Sequence, residues 1–191
     1  MSRLDSHDQA RGMDRRTLVT AGGAAAIAAA GATVLGATPA GAAPLVPVLS
    51  PVNPQRVYDS RAAGALGPIS NGQVDTLTSG PAADAMAYLL NVTVVNTTGF
   101  GWISVFSADL ASTTSSTLNW YGPNQTMVNT AYTWIRTSDS GIKVSCGGGG
   151  STQYILDLTG VLFMYDAGAA MSVPSAVGSD TSGRGLTGTR Q

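Results

Sequence analysis

"YILDLTGVLF", Tyr154–Phe163, is the stretch whose reading decides the fold. Aromatic, β-branched and leucine side chains occupy both parities, and Asp157 is the one charge among them. An apolar run of this length, rich in strand-forming residues and following the turn signal "CGGGGS", reads as a strand deep in a sheet. "YLLNVTVV", Tyr88–Val95, reads the same way and runs into a second turn signal, "NTTGFG".

Working outward, further apolar and β-branched runs alternate with "AGALGP", "SGPAAD", "YGPNQ" and "SDSG", each with a residue suited to tight turning. The runs are Arg56–Asp59, Gln73–Thr78, Ala85–Val95, Gly101–Ala108, Thr117–Tyr121, Thr126–Thr137, Gly141–Cys146 and Thr152–Tyr165. Past residue 44 no window carries a 3.6-residue apolar stripe of helical length. Eight short strands at this spacing predict an all-β domain over 54–166: a single antiparallel β-sandwich or jelly roll. Pro44, Pro47, Pro51 and Pro54 space an extended lead-in over 44–53. Residues 167–191 are Gly, Ser, Thr and Ala with little to bury, and a disordered tail is expected there.

Residues 1–43 read as an address. Arg15 and Arg16 precede a mild apolar run of Ala, Gly, Val and Leu that closes on Ala40-Gly41-Ala42. A charged region, an apolar region and a small-residue cleavage site in that order make an export signal. The paired arginines make it resemble a bacterial twin-arginine (Tat) signal, which implies the Tat export machinery as partner and an extracellular or cell-surface location. The alternative is an uncleaved Ala-rich anchor, since Leu18 to Thr38 is about long enough to span a bilayer. Gly22, Gly23, Gly31 and Gly36 interrupt that run and favour cleavage.

Composition narrows the chemistry. Of 191 residues only 11% are charged; there is no glutamate, and Lys143 is the one lysine. A net charge of −1 offers no attraction to nucleic acid or an anionic membrane surface. His7, the single histidine, leaves with the signal, so the exported chain has no Ser-His-Asp or Cys-His arrangement. One cysteine and scattered aspartates make no zinc set, and "CGGGGS" lacks the phosphate-loop spacing. No cofactor or metal is expected. Cys146 reads as a buried free thiol, with an intermolecular disulfide as the alternative.

Four phrases together resemble a domain common in secreted and surface proteins of actinobacteria: "PQRVYDSR" (54–61), "LLNVTVVNTTGFGWISVF" (89–106), "SSTLNWYGPNQTMVNTAYTWI" (115–135) and "YILDLTGVLF" (154–163). The family pattern falls on Pro54, Arg56, Asp59, Ser60, Arg61, Asn91, Thr93, Ser116, Leu118, Asn119, Asn129, Asp157 and Gly160. Tyr58 departs from it, standing where leucine or phenylalanine is usual. The resemblance implies a β-sandwich whose role is binding or surface structure rather than catalysis.

Asp59, Arg61, Asn91, Asn119, Asn129 and Asp157 recur inside apolar runs. Residues of that kind are expected to form a buried polar network, Arg61 gripping Asp157 or Asp59 and pinning the first strand to the sheet. The catalytic alternative uses Asp59 and Asp157 as the two carboxylates of a glycoside hydrolase. For ligand binding the candidates are Trp120 and Tyr121, beside a turn carrying Asn124 and Gln125, while Trp102 and Trp134 are assigned to the core. The expectation is an exported, non-catalytic module that binds cell-envelope or extracellular glycan. A surface protein that self-associates as a homo-oligomer is the second reading.

Overall fold

The computed structural model describes residues 44–82, 84–167 and 185–191. The signal positions Arg15, Arg16, Ala40 and Ala42 lie outside the described residues, as do 168–184 of the expected tail. The chain divides into Met1–Gly41 and Ala42–Gln191, and the fold is that of the second unit.

Among the described residues the fold is all-β, two antiparallel sheets packed as a sandwich. In chain order the strands are β1 (Leu45–Asp59), β2 (Ile69–Ser70), β3 (Val74–Thr78), β4 (Ala87–Val95), β5 (Gly101–Ser107), β6 (Leu118–Trp120), β7 (Met127–Trp134), β8 (Ile142–Gly148), β9 (Ser151–Asp166) and β10 (Thr187–Arg190). The first sheet runs β1-β9-β4-β7, with β2 also on β9; the second runs β10-β3-β8-β5-β6. β4 and β9 are therefore interior strands, as their sequences predict.

The core lies between the sheets. β4 gives it Tyr88, Leu90, Val92 and Val94, and β5 and β8 answer with Ile103, Val105, Ile142, Val144 and Cys146. β9 contributes Tyr154, Leu156 and Leu158, then switches parity to Val161 and Phe163. The switch falls where the register slips beside Thr159, Leu89 pairing with Gly160 and Leu90 with Leu158. An extra residue in one strand turns the side chains that follow to the other face. This is why "YILDLTGVLF" is apolar on both parities.

Two boundaries move from their expected places. The lead-in is not a separate segment: Leu45–Pro51 pairs residue by residue with Gly160–Asp166 as part of β1. β1 is an edge strand, where a proline's missing N–H costs nothing if that side faces outward. The expected tail is not wholly free, because Thr187–Arg190 pairs with Asp75–Thr78 of β3. Leu186 is buried there, and Arg190 neutralises Asp75. Among the described residues, ten strands thus replace about eight.

The glycine run before β9 is a mould. A side chain at Gly147 would overlap the Trp102 ring, and one at Gly150 would overlap the Thr98 carbonyl. Gly148 sits at φ +97°, a conformation other residues rarely adopt.

Candidate functional site

The outer face of the first sheet carries the most concentrated exposed chemistry, and register assembles it row by row. On β7, Ala131 and Thr133 face inward, so Val128, Thr130, Tyr132 and Trp134 face out. Beside Tyr132 in register stand Leu89, Gly160 and Pro51; beside Trp134 stand Ala87, Leu162 and Leu49. The next row is polar: Thr130 on β7, Asn91 on β4, Asp157 on β9 and Arg56 on β1. One end of the face is therefore aromatic and aliphatic, and the row beside it offers hydroxyl, amide, carboxylate and guanidinium.

Tyr132 and Trp134 are half exposed, at 50% and 52%, and their rings meet edge to face with centroids 6.4 Å apart and planes at 69°. Contact between the rings holds each partly in place without hiding its face. In the polar row the Thr130 hydroxyl donates to Asn91 Oδ1 at 3.2 Å, and Arg56 Nε donates to Asp157 Oδ1 at 3.0 Å. A second Arg56 nitrogen reaches Asp59 Oδ2 at 3.4 Å. Arg61 grips the same Asp59 with two parallel bonds, 2.8 Å to Oδ1 and 2.7 Å to Oδ2, and its own backbone N–H adds a third at 3.0 Å.

These contacts set the electrostatics. The Arg61 guanidinium, with the Arg61 N–H and the charge of Arg56, holds the Asp59 carboxyl down at about 2. Hydrogen bonding to Asp157 raises Arg56 above its ordinary value. Two arginines and two aspartates compensate one another, leaving the row polar with balanced charge.

The expected buried network is corrected on two counts. Arg56 and Arg61 are 52% and 42% exposed, so the cluster lies at the surface. Nor do the six residues form one network. Asn91 belongs to the polar row; Asn119 donates to the Ser116 hydroxyl at 3.1 Å; Asn129 donates to the Thr117 carbonyl at 2.7 Å, tying β7 to the segment leading into β6. β1 is held to β9 by its ladder and by the Arg56–Asp157 pair, and just past its end by Ser60, which is 1% exposed. Its N–H donates to the Tyr154 carbonyl and its hydroxyl accepts from the Tyr154 N–H, both at 2.9 Å.

Of the ligand-binding candidates, Trp120 is corrected. Trp120 is 1% exposed, fills the core and donates from Nε1 to the Thr98 carbonyl at 3.3 Å. Tyr121 is 80% exposed, but Gln125 is occupied, its Oε1 accepting from the Tyr121 N–H at 2.9 Å. Asn124 is exposed at φ 58°, its N–H donating to the Thr97 carbonyl. That turn holds loops together and leaves Tyr121 exposed, with the exposed Phe100 next to Gly101, the register partner of Trp120. Trp134, assigned to the core from sequence, is on the surface, and Trp102, assigned there too, is only half-buried, its ring lying over Gly147 outside the core. In the structure Trp134 shares the outward side of β7 with Thr130 rather than the side of Ala131 and Thr133.

A groove of about 550 Å³ lies beside the cluster, lined by Tyr58, Asp59, Leu66 and Leu186 among others. Cys146 is a free, buried thiol, pushed up to about 11 by desolvation and by the nearby charge of Asp75. It therefore stays protonated at neutral pH. Among the described residues no three histidine, cysteine or carboxylate groups gather as metal ligands. No protein-family model matches this chain, and no curated protein or solved structure is detectably similar to it.

Proposed function

We propose that the chain is an exported, non-catalytic β-sandwich that binds uncharged cell-envelope or extracellular polysaccharide on the outer face of its first sheet. The observation that carries this reading is the exposed Tyr132–Trp134 pair beside the row Thr130, Asn91, Asp157 and Arg56. A pyranose ring has an apolar C–H face that stacks on an aromatic ring and an equatorial rim of hydroxyls that need donors and acceptors. The two rows supply these side by side, and a strand-built face suits an extended chain. The compensated charge of the Arg–Asp cluster favours a neutral sugar over an anionic one. Export rests on Arg15, Arg16 and the Ala40-Gly41-Ala42 site, as does the Tat machinery as partner.

The same cluster argues against hydrolysis. A glycosidase needs one carboxylate ionised and the other free to carry a proton, and here both are engaged by arginines, Asp59 by Arg61 and Asp157 by Arg56. Binding is tested by co-sedimentation of the full chain with actinobacterial cell wall, chitin and cellulose. Tyr132→Ala and Trp134→Ala should each release the protein from whichever polymer pellets it, while Tyr121→Ala should not. Pelleting indifferent to Tyr132 and Trp134, or none on any polymer, would sink the reading.

A further inference from the structure

The outer face of the second sheet is not open like that of the first. The segment between β5 and β6 turns back over it, and both of its ends are tied down. At the β5 end the Leu110 N–H donates to the Ser107 carbonyl at 3.1 Å, and Lys143 Nζ donates to the Leu110 carbonyl at 2.7 Å. At the β6 end the Ser104 hydroxyl donates to the Ser115 carbonyl. The Val105 N–H donates to the Thr117 hydroxyl at 2.9 Å, and the Thr117 N–H to the Ile103 carbonyl at 2.8 Å. Under this cover Phe106 is 6% exposed and Ser104 1%. The cover stops short of Trp102, which is half-buried.

Where it stops, a pocket of about 210 Å³ remains. Strand periodicity builds it. Trp102 and Phe106 lie four residues apart on one side of β5, about 13 Å along the strand. Ser145 of β8 is the register partner of Ser104, so it stands between their two rows. Gly147, two residues on, leaves the space that the Trp102 ring occupies; a side chain there would overlap the ring. Val74, paired with Ser145 from the other side, adds an aliphatic wall, and Ser112 and Thr113 stand on the covering segment. No charged side chain lines the pocket. Among the described residues Trp102 Nε1, Ser145 Oγ and Ser112 Oγ form no hydrogen bond, so three polar groups are available to a ligand.

We infer that this pocket is a second carbohydrate site, taking one uncharged pyranose. Such a ring has an apolar C–H face for the indole, hydroxyls for the three polar groups, and no charge that needs a partner. Rings at both ends along β5 and walls on both sides suit the end or a branch of a chain rather than its middle. The site lies on the other sheet from Tyr132 and Trp134 and does not rest on that face.

The test is proton–nitrogen NMR of the full chain titrated with the methyl glycosides of glucose, galactose, mannose and N-acetylglucosamine. The chain has three tryptophans, so the spectrum carries three indole N–H signals, assigned by single Trp→Phe variants. At least one sugar should move the Trp102 signal saturably while Trp120 and Trp134 stay still. Trp102→Ala should weaken that binding about tenfold, by loss of the stacking ring and its N–H. Ser145→Leu should abolish it by filling the floor, with the Trp102 ring kept, and Trp134→Ala should leave it unchanged. No saturable shift of Trp102 with any of these sugars overturns the inference. So does a shift that survives Ser145→Leu, or saturation by phenol or indole with none by sugar. None of these outcomes bears on polymer retention through Tyr132 and Trp134, so the two sites stand or fall separately.

Discussion

Asp59 and Asp75 are each held by an arginine fork, and the forks are nearly superimposable in their distances: 2.8 and 2.7 Å from Arg61, 2.7 and 3.0 Å from Arg190. Their surroundings differ. The Asp59 side chain is 16% exposed and its partner 42%; the Asp75 side chain is 0% exposed and its partner 22%. At the surface, water screens the pair and competes for both ions, so the bond is worth little. In the interior the attraction is stronger, but so is the cost of stripping each ion of water, and losing one partner strands the other. The pattern "DSR" and the lone Arg190 thus share one chemistry with opposite stakes.

Arg190→Ala breaks the comparison hardest. It leaves a buried carboxylate without a cation and should cost about 3–5 kcal/mol in urea unfolding, freeing β10 as well. Tyr154→Phe comes next, removing a hydroxyl that donates to that carboxylate while keeping its ring against Tyr58, 5.2 Å between centroids; a loss of about 1.5–3 kcal/mol is expected. Asp59→Asn should cost about 1 kcal/mol or less. Its signature is in acid. The folded carboxyl titrates at about 2 against an ordinary 3.8, so its contribution is full above the ordinary value and disappears as pH falls through about 2. Wild type should lose its small advantage over Asp59→Asn across that window, as followed by circular dichroism. Smallest in stability is Trp134→Ala, within about 0.5 kcal/mol, because half of the ring already faces water. Unchanged melting together with lost glycan retention would separate the binding face from both ion pairs.

The strands were legible because turn residues punctuate β-branched runs, and β3 through β9 lie where those runs predict. What escaped was long-range pairing. Leu45–Pro51 has the composition of a Pro-rich linker, and nothing local says that Gly160–Asp166 supplies its ladder. Thr187–Arg190 has the composition of a tail, and one leucine with one arginine decides otherwise. The two tryptophans exchanged roles for a related reason. In "NTAYTWI" either parity of β7 can turn inward, and hydrophobicity alone favours burying the rings. The sandwich instead puts Ala131 and Thr133 inside and fills the interior with Trp120 from β6. Arg56 was missed as the partner of Asp157 because only the β1–β9 register makes them neighbours.

The run "CGGGGS" looks like the stretch most free to drift under mutation. Gly147 lies under the Trp102 ring, Gly148 holds a left-handed backbone, Gly149 lies against Phe100, and Gly150 meets the Thr98 carbonyl. Any codon change that adds a side chain at these positions meets a ring, a strained backbone or a carbonyl. The most repetitive part of this sequence is thus among the narrowest gates through which its descendants can pass.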